Sequence, residues 1–203
     1  SPQARTLADG EDAPFTKVRS ADAGVRLTFG ENAEHRITAS GFFTQLTDDV
    51  AFEPGEGRYE RIGPTRRAGL VTSIQTEPLS FLLASASVTY VHATLLEPPL
   101  ASVEDPDPPY TKGQLLPYVP PVVVRLDVGA HGDLARGESN VVEGRVGVGY
   151  SLVGRRPMPY SERASIISLL DASAGVTFTH GESRIDLGLE MNNLIGSRWN
   201  ASE

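Results

Sequence analysis

Hydrophobic and polar side chains alternate regularly along VVVRLDVGAHG, the segment from Val122 to Gly132. Side chains of a β-strand point alternately to its two faces, so this alternation predicts a strand with one apolar and one polar face. Other segments alternate in the same way, and none keeps a helical period. Phe42-Phe43 marks an irregularity, where we predict a β-bulge. The predicted strands are Ala21–Phe29, Arg36–Phe52, Arg67–Gln75, Leu82–Tyr90, Val122–Gly132, Val142–Leu152, Leu170–Phe178 and Ile185–Met191.

Short and long links alternate between these strands. An up-and-down outer-membrane barrel has short periplasmic turns and long extracellular loops, so it produces this rhythm directly. A soluble β-sandwich has no reason to keep all its long links at one end. We therefore expect the long links to emerge together, opposite the tight turns. The tight turns lie near Asn32, Pro78 and Gly181, and the long links are Ala51–Gly63, Glu97–Pro121 and Gly154–Ser165.

The apolar strand faces have two opposite interpretations. A soluble sandwich turns them inward against a second sheet, whereas an outer-membrane barrel turns them outward to lipid. Aromatic residues lie toward the strand ends, as in the interfacial girdle of a barrel. The pattern, the loop rhythm and the aromatic placement together favour the barrel and leave the sandwich open. The aromatic residues are Phe29, Tyr90, Tyr150 and Phe178.

The composition fits a folded β-protein. Of the 203 residues, 39% are hydrophobic and 22% are charged, which is too apolar for a disordered chain and too polar for a helical membrane protein. A formal net charge of -8 argues against a nucleic-acid partner, because phosphate binding requires a basic surface. The lack of cysteine excludes disulfides and thiolate metal sites.

Several segments resemble motifs of TonB-dependent outer-membrane receptors, in the same order along the chain. The N-terminal segment resembles a passage in which an R-[AS]-P motif and a loop precede a strand of the form S-x-x-x-G-[LV]-R, matched by Ser20 to Arg26. GFFTQLTDDVAF resembles the next strand, with its aromatic pair and Asp-rich end. RIGPTRRAGLVTSIQ keeps Gly63 and Gly69 of the following motif, while Ile62 and Gln75 replace the usual Asn and Glu.

Two further segments continue the resemblance. LPYVPPVVVRLDVGA resembles the family's proline-rich entry into a strand. IDLGLEMNNLIGSRW resembles its penultimate strand, in which Asn193, Leu194 and Trp199 match the motif and Ile195 and Gly196 differ from it. The resemblance therefore covers the C-terminal part of a receptor barrel.

The resemblance implies an all-β fold: an antiparallel up-and-down transmembrane β-barrel, with about eight strands of a larger barrel in this chain. Residues 1–203 would be a partial barrel domain, with the plug domain, the TonB-contacting segment and the last strand outside the chain. The implied function is energised uptake of a ligand, such as a siderophore or another scarce nutrient, in the cell outer membrane. The implied partners are outer-membrane lipid, the protein's own plug domain, the TonB energy-transducing complex and an unknown small ligand, without a cofactor.

Three other classes remain open. They are a complete eight-stranded outer-membrane barrel acting as an adhesin or anchor, a soluble β-sandwich binding module, and a barrel enzyme. A closed small barrel would pair its first and last strands, whereas an arc of a larger barrel would leave both unpaired. We expect the arc. We also expect the even-numbered positions of Leu82–Tyr90 and Leu170–Phe178 to share its outer, convex face.

Two groups of residues are candidates for function. One group occupies the polar faces of adjacent predicted strands, where we expect it to face the lumen, to form cross-strand charge pairs and to contact the plug. The other lies on long loops, where it would meet an anionic or aromatic ligand. The lumen candidates are Arg125, Asp127, Glu143 and Arg145. The loop candidates are Tyr110, Arg155, Arg156 and Tyr160.

No segment carries a convincing catalytic or metal-binding motif. GYSLVG around Ser151 is not the G-x-S-x-G motif, and the four histidines lack ligand spacing. The acidic group of Glu104, Asp105 and Asp107 lacks the glycine and glutamate positions of an EF-hand loop. We therefore expect no enzymatic activity and no metal site.

Overall fold

The two-residue alternation of the sequence is realised as a single sheet in a computed structural model of the chain. The structure describes residues 16–31, 34–53, 58–97, 111–158 and 162–195, with the backbone alone for 51–53 and 58–61. Among these residues, no helix is long and apolar enough to cross a membrane. The strands are β1 (Val18–Phe29), β2 (His35–Glu53), β3 (Arg58–Leu79), β4 (Leu82–Leu95), β5 (Val122–Arg136), β6 (Asn140–Val153), β7 (Ile167–His180) and β8 (Ser183–Met191).

The eight strands pair antiparallel in chain order, from β1 to β8. This up-and-down arrangement and all eight predicted strands are confirmed. The third strand is much longer than the predicted Arg67–Gln75, because its polar N-terminal half continues to pair with β2. Strand β2 pairs with β3 as far as Glu53 opposite Arg58. The link between the two strands is therefore much shorter than the predicted Ala51–Gly63, and the prediction of a long link here was wrong.

The sheet is open along the described part of the chain. Strand β1 pairs with β2 and β8 pairs with β7, and the two outer strands do not pair with each other. The described strands therefore form neither a closed eight-stranded barrel nor the two layers of a sandwich. The prediction of a partial arc is confirmed.

One face of this sheet is apolar and exposed. The register aligns Ala86 of β4 with Leu126, Tyr150 and Leu170 on the next three strands, so the even-numbered positions of β4 and β7 share a face. On the same face, Val128 is 52% exposed and Leu187 is 59% exposed. Such a continuous apolar surface is unfavourable in water and suits lipid.

Aromatic side chains flank the apolar face at two levels. Phe178 pairs with Val142, and Tyr150 lies eight residues farther along the same strand as Val142. Eight residues span roughly 26 Å along a strand, comparable to the ~25 Å apolar band of outer-membrane barrels. Phe29 packs its ring 5.0 Å from that of His35, beside another tight turn.

The two ends of the sheet differ in the length of their links. At one end, each of two tight turns is hydrogen-bonded to a neighbouring strand: Glu77 N of β3 donates to Glu34 O, and His131 N of β5 donates to Phe81 O. At the other end, the links that follow β4 and β6 meet through Tyr118 N and Pro157 O at 2.8 Å. The described parts of the predicted links Glu97–Pro121 and Gly154–Ser165 therefore lie opposite the tight turns, while residues 98–110 and 159–161 are outside the described residues.

The irregularity of β2 lies beyond its aromatic pair. Phe42 and Phe43 pair in continuous register with both neighbouring strands. The register shifts instead between Leu46 and Val50, around Asp49. The bulge predicted at Phe42-Phe43 was therefore wrong. Phe43 lies on the same face as Gly41, and Phe42 lies on the same face as Ser40. The two phenylalanines therefore occupy opposite faces, and the alternation of faces continues through them.

We predict that an arginine is tolerated on one face of β4 and not on the other. Ala86→Arg places a charge in the middle of the apolar face and should destabilise the barrel by about 2–4 kcal/mol. Ser85→Arg, its neighbour on the polar face opposite Asp127, should have little effect. The measurement is equilibrium unfolding of the whole protein from lipid vesicles. Equal destabilisation by the two substitutions would contradict the assignment of faces.

Candidate functional site

The polar faces of the strands line a concavity of about 920 Å³. Strands from β2 to β8 all contribute to it, which shows that the sheet curls toward its polar face. The apolar face is therefore the convex one, as predicted from the sequence. Polar and charged residues that line the concavity include Arg36, Gln75, Ser85, Arg125, Asp127, Arg145, Asp171, Ser173 and Glu190.

Arg125 is the centre of a charged cluster that spans β5, β6 and β7. Its Nε donates to both carboxylate oxygens of Asp127, at 2.8 and 3.0 Å. Its Nη1 donates to Asp171 Oδ2 at 2.7 Å and to Ser151 Oγ at 2.8 Å. The backbone N–H of Asn193 donates to the other oxygen of Asp171, at 3.1 Å. One guanidinium thus joins two carboxylates, one from its own strand and one from two strands away.

Gly149 provides the space for this arrangement. The register aligns Asp127, Gly149 and Asp171 in one row across three strands. A Cβ atom at position 149 would lie 2.8 Å from Arg125 Cζ and 2.7 Å from Asp127 Oδ1. The missing side chain therefore lets the guanidinium lie flat against the sheet between the two carboxylates.

Arg145 forms a second cluster nearer the tight turns. Its Nη1 donates to Thr177 Oγ1 at 3.1 Å and lies 3.6 Å from Asp186 Oδ1. The buried Thr177 hydroxyl donates to Asp186 Oδ1 at 2.6 Å. Glycine again lies beneath the arginine, because a Cβ at Gly175 would be 2.6 Å from Arg145 Nε. The two clusters therefore share one design, a lumen arginine held over a glycine.

The predicted cross-strand pairs among the four lumen candidates do not form. Arg125 pairs with Asp127 along its own strand, and the cross-strand partners are Asp171 and Asp186, which the sequence analysis did not select. One strand lies between each arginine and its cross-strand acid, a distance that the long arginine side chain spans because the intervening residue is glycine. The sequence signal was the pair of polar-face glycines on β6 and β7.

Glu143 has a different environment from the other lumen candidates. It is exposed on the polar face, opposite Thr177 and Asp133 in the register. Among the described residues it takes part in no hydrogen bond or ion pair, although it attracts the Arg184 guanidinium electrostatically, and its neighbour Asp133 pairs with Arg136. Glu143 is therefore the lumen candidate whose carboxylate is open to another molecule or domain.

The loop candidates are only partly within the described residues. Arg155 is exposed, whereas Arg156 is half-buried and its backbone carbonyl accepts from Ala164 N at 3.0 Å. Tyr110 and Tyr160 lie outside the described residues. The structure therefore brings Arg155 and Arg156 to the long-link end of the arc.

The link before β5 folds back onto the sheet at this same end. Leu116 N donates to Ala93 O, and Leu95 N donates to Gln114 O, both at 2.9 Å. These bonds place Leu116 in a small buried core with Ile62, Ala93 and Leu95. The rim of the arc at this end is therefore packed and ordered by the link.

A third charged cluster supports this rim, and the sequence analysis did not select it. Asp49 Oδ2 accepts from Arg67 Nη2 at 2.6 Å and from the buried hydroxyl of Thr65 at 2.8 Å. Asp49 lies at the register shift of β2, and its Oδ1 also accepts from Val50 N at 3.0 Å. The bulge thus turns a carboxylate toward an arginine of the neighbouring strand.

No metal centre is assembled from the described parts of the chain, where no group of three or more His, Asp or Glu side chains lies close enough to hold an ion. The acidic residues Glu104, Asp105 and Asp107 lie outside these parts. The chemistry that the polar face offers is therefore hydrogen bonding and charge pairing.

Comparison with protein families matches residues 10–194 to the family described as "TonB dependent receptor-like, beta-barrel". This match covers most of the 203 residues and all of the described strands. Comparison with curated proteins finds no relative that matches.

We predict that Gly149→Ala loosens the Arg125 cluster, because the added Cβ occupies the place of the guanidinium. The whole protein should lose a few degrees of melting temperature, since partly exposed charge pairs contribute little individually. Gly188→Ala is the matched control, because its Cβ would meet Arg145 at an ordinary 3.6 Å. In an Arg125→Ala background, Gly149→Ala should have no further effect. A persistent effect in that background would show that the glycine serves another purpose.

Proposed function

The chain belongs to the TonB-dependent receptor-like β-barrel family, and from this premise we propose that it forms part of the barrel wall of an outer-membrane transporter. The transporter takes up a scarce ligand from outside the cell, with energy delivered by a TonB complex. Its plug domain and the remaining barrel strands are supplied by other parts of the protein. Within the described residues the outer edges of β1 and β8 have no partner strand, which supports this arrangement because it leaves backbone groups free to pair with further strands.

The separation of two faces on one curved sheet is the observation that carries this proposal. The convex face is apolar and exposed, while the concave face carries paired charges around a polar concavity. A lipid-facing wall around a hydrated, plugged lumen requires this combination. An adhesin or anchor requires the outer face and has no comparable need for a wide polar lumen.

Within this function, we propose that Glu143 and Arg145 contact the plug. Arg125 directs its donors to Asp127, Asp171 and Ser151 of the wall itself, so its role is to brace three strands. Glu143 is open, and Arg145 is 51% exposed. These two residues offer an anion and a cation on one strand, from which a polar domain inside the barrel gains hydrogen bonds and orientation.

At the long-link end, we propose that the loop residues recognise the ligand. Arg155 and Arg156 would bind anionic groups, and Tyr110 and Tyr160 would stack on flat or aromatic ones. The packed core around Leu116 supports this assignment, because a binding surface held by a rigid neighbour loses less entropy when a ligand binds.

Uptake measurements test the function directly. A strain lacking the full-length gene should lose accumulation of one labelled ligand from a panel of iron chelates, cobalamin, glycans and peptides. Accumulation should return with the intact gene and should require both TonB and the proton motive force. Uptake that persists without TonB would contradict the proposed energy source. Normal uptake of every ligand in the deletion strain would contradict the transporter class.

Site-directed cross-linking tests the plug contact. Glu143→Cys in the full-length receptor should form a cross-link to the plug with a short homobifunctional thiol reagent, when cysteines are also introduced along the plug surface. Leu187→Cys, on the lipid face of β8, is the control and should form no such cross-link. Equal cross-linking from both positions would contradict the contact.

A further inference from the structure

Permanent positive charge is almost absent from the convex face. Among the paired outer-face positions between the register shift at Asp49 and the tight turns, Arg19 of β1 and Arg66 of β3 are the two that carry a permanent charge; all others in this part of the described strands are apolar, small, polar or histidine. Both arginines are exposed. Their isolation on an otherwise uncharged surface calls for a specific reason, because a charge in the apolar band is costly.

The two arginines lie in one row at the long-link end of the face. The register aligns Arg19 with Gln45, and Gln45 with Arg66. Two strand spacings of about 4.8 Å put their backbones roughly 10 Å apart, with the amide of Gln45 between them. The next outer-face row toward the turns is apolar, formed by Ala21, Phe43 and Ala68. The arginines therefore mark the upper boundary of the apolar band.

A third cation extends the group. Lys17 is exposed, lies just before β1, and is held to β2 through its backbone, with Thr47 N donating to Lys17 O at 3.1 Å. None of the three cations pairs with a carboxylate in the part of the chain that the structure describes, whereas the lumen arginines Arg125 and Arg145 both do. Among the described residues the outer group thus presents positive charge without a paired acid, in a chain whose net charge is -8.

We propose that Lys17, Arg19 and Arg66 bind the phosphate groups of lipid headgroups in the outer leaflet. This inference rests on the proposed membrane placement, in which the long links are extracellular. Cations directly above the apolar band lie at headgroup depth, where each contributes attraction to anionic lipid. Guanidinium groups donate paired hydrogen bonds to phosphate oxygens, and the Gln45 amide between them adds a neutral donor. A lipid with acyl chains on the apolar rows below and its phosphate on this row meets both surfaces at once.

Lipid titration of the full-length receptor tests this site. Phosphatidic acid is added to the purified receptor in neutral detergent micelles, and the rise in melting temperature reports its binding. The variants are Arg19→Gln, Arg66→Gln, their combination, and the charge-preserving Arg19→Lys/Arg66→Lys. Each arginine-to-glutamine change should weaken binding roughly fivefold, and the combination roughly 25-fold. The lysine variant should retain most of the affinity.

Three controls decide the interpretation. Arg26→Gln removes an exposed cation from the opposite face of β1 and should leave lipid binding unchanged. Phosphatidylcholine should bind the intact receptor and the double variant equally weakly.

Undiminished phosphatidic acid binding by the combined glutamine variant would overturn the inference, and so would an equal loss in Arg26→Gln. A matching response to inorganic phosphate alone would assign the site to a free anion instead of a lipid. A receptor that does not enter the membrane at all would instead overturn the proposed function.

Discussion

The unbroken antiparallel ladder is the constraint on which the rest of the structure depends. In lipid there is no water to satisfy backbone N–H and C=O groups, so every strand inside the band must pair with a neighbour on each side. Pairing in chain order from β1 to β8 meets this requirement at every interior strand. The ladder also fixes the side-chain period at two, so one set of residues faces outward along the whole arc and the other faces the lumen. The apolar belt and the polar concavity are two consequences of the same hydrogen bonds.

The polar face solves a second problem with glycine and arginine. Charges on a wide lumen wall need partners, yet side chains of adjacent strands in the same row crowd each other. Gly149 and Gly175 have no side chains, so the space above them is free for the guanidinium groups of Arg125 and Arg145. The two arginines can therefore cross the intervening strand and reach acids two strands away. The charges are then neutralised against the wall, and the guanidinium groups lie along the sheet. The exposed Glu143 is the exception, and the proposed contact with the plug depends on it.

The two ends of the arc are specialised differently. Tight turns close one end with few residues and little ordering cost, as in the hairpin at Gly181, where a positive φ of 55° suits glycine. The other end carries longer links. It is stiffened by the small core around Leu116 and by the ion pair of Arg67 with Asp49, which lies at the bulge of β2. Links at the second end can lengthen without disturbing the ladder, so this end is the one at which function can vary. The outer arginines Arg19 and Arg66 lie at this end as well, directly beside the last apolar row of the convex face.

The sequence by itself determined the eight strands, their apolar and polar faces and the end at which the two longest links emerge, because each depends on local alternation and on turn residues. The resemblance to receptor motifs added the family, and the open sheet with its apolar convex face agrees with it. The tertiary structure decided which charges meet. Arg125 and Asp171 are forty-six residues apart in the chain and meet only because the register places Gly149 between Asp127 and Asp171. The structure also shows the irregularity of β2 at Asp49, where the sequence had predicted it at Phe42-Phe43, and it shows that β3 begins at Arg58. Strand register depends on both strands of a pair. The alternation along one strand therefore predicts which face a side chain occupies and leaves its cross-strand partner undetermined.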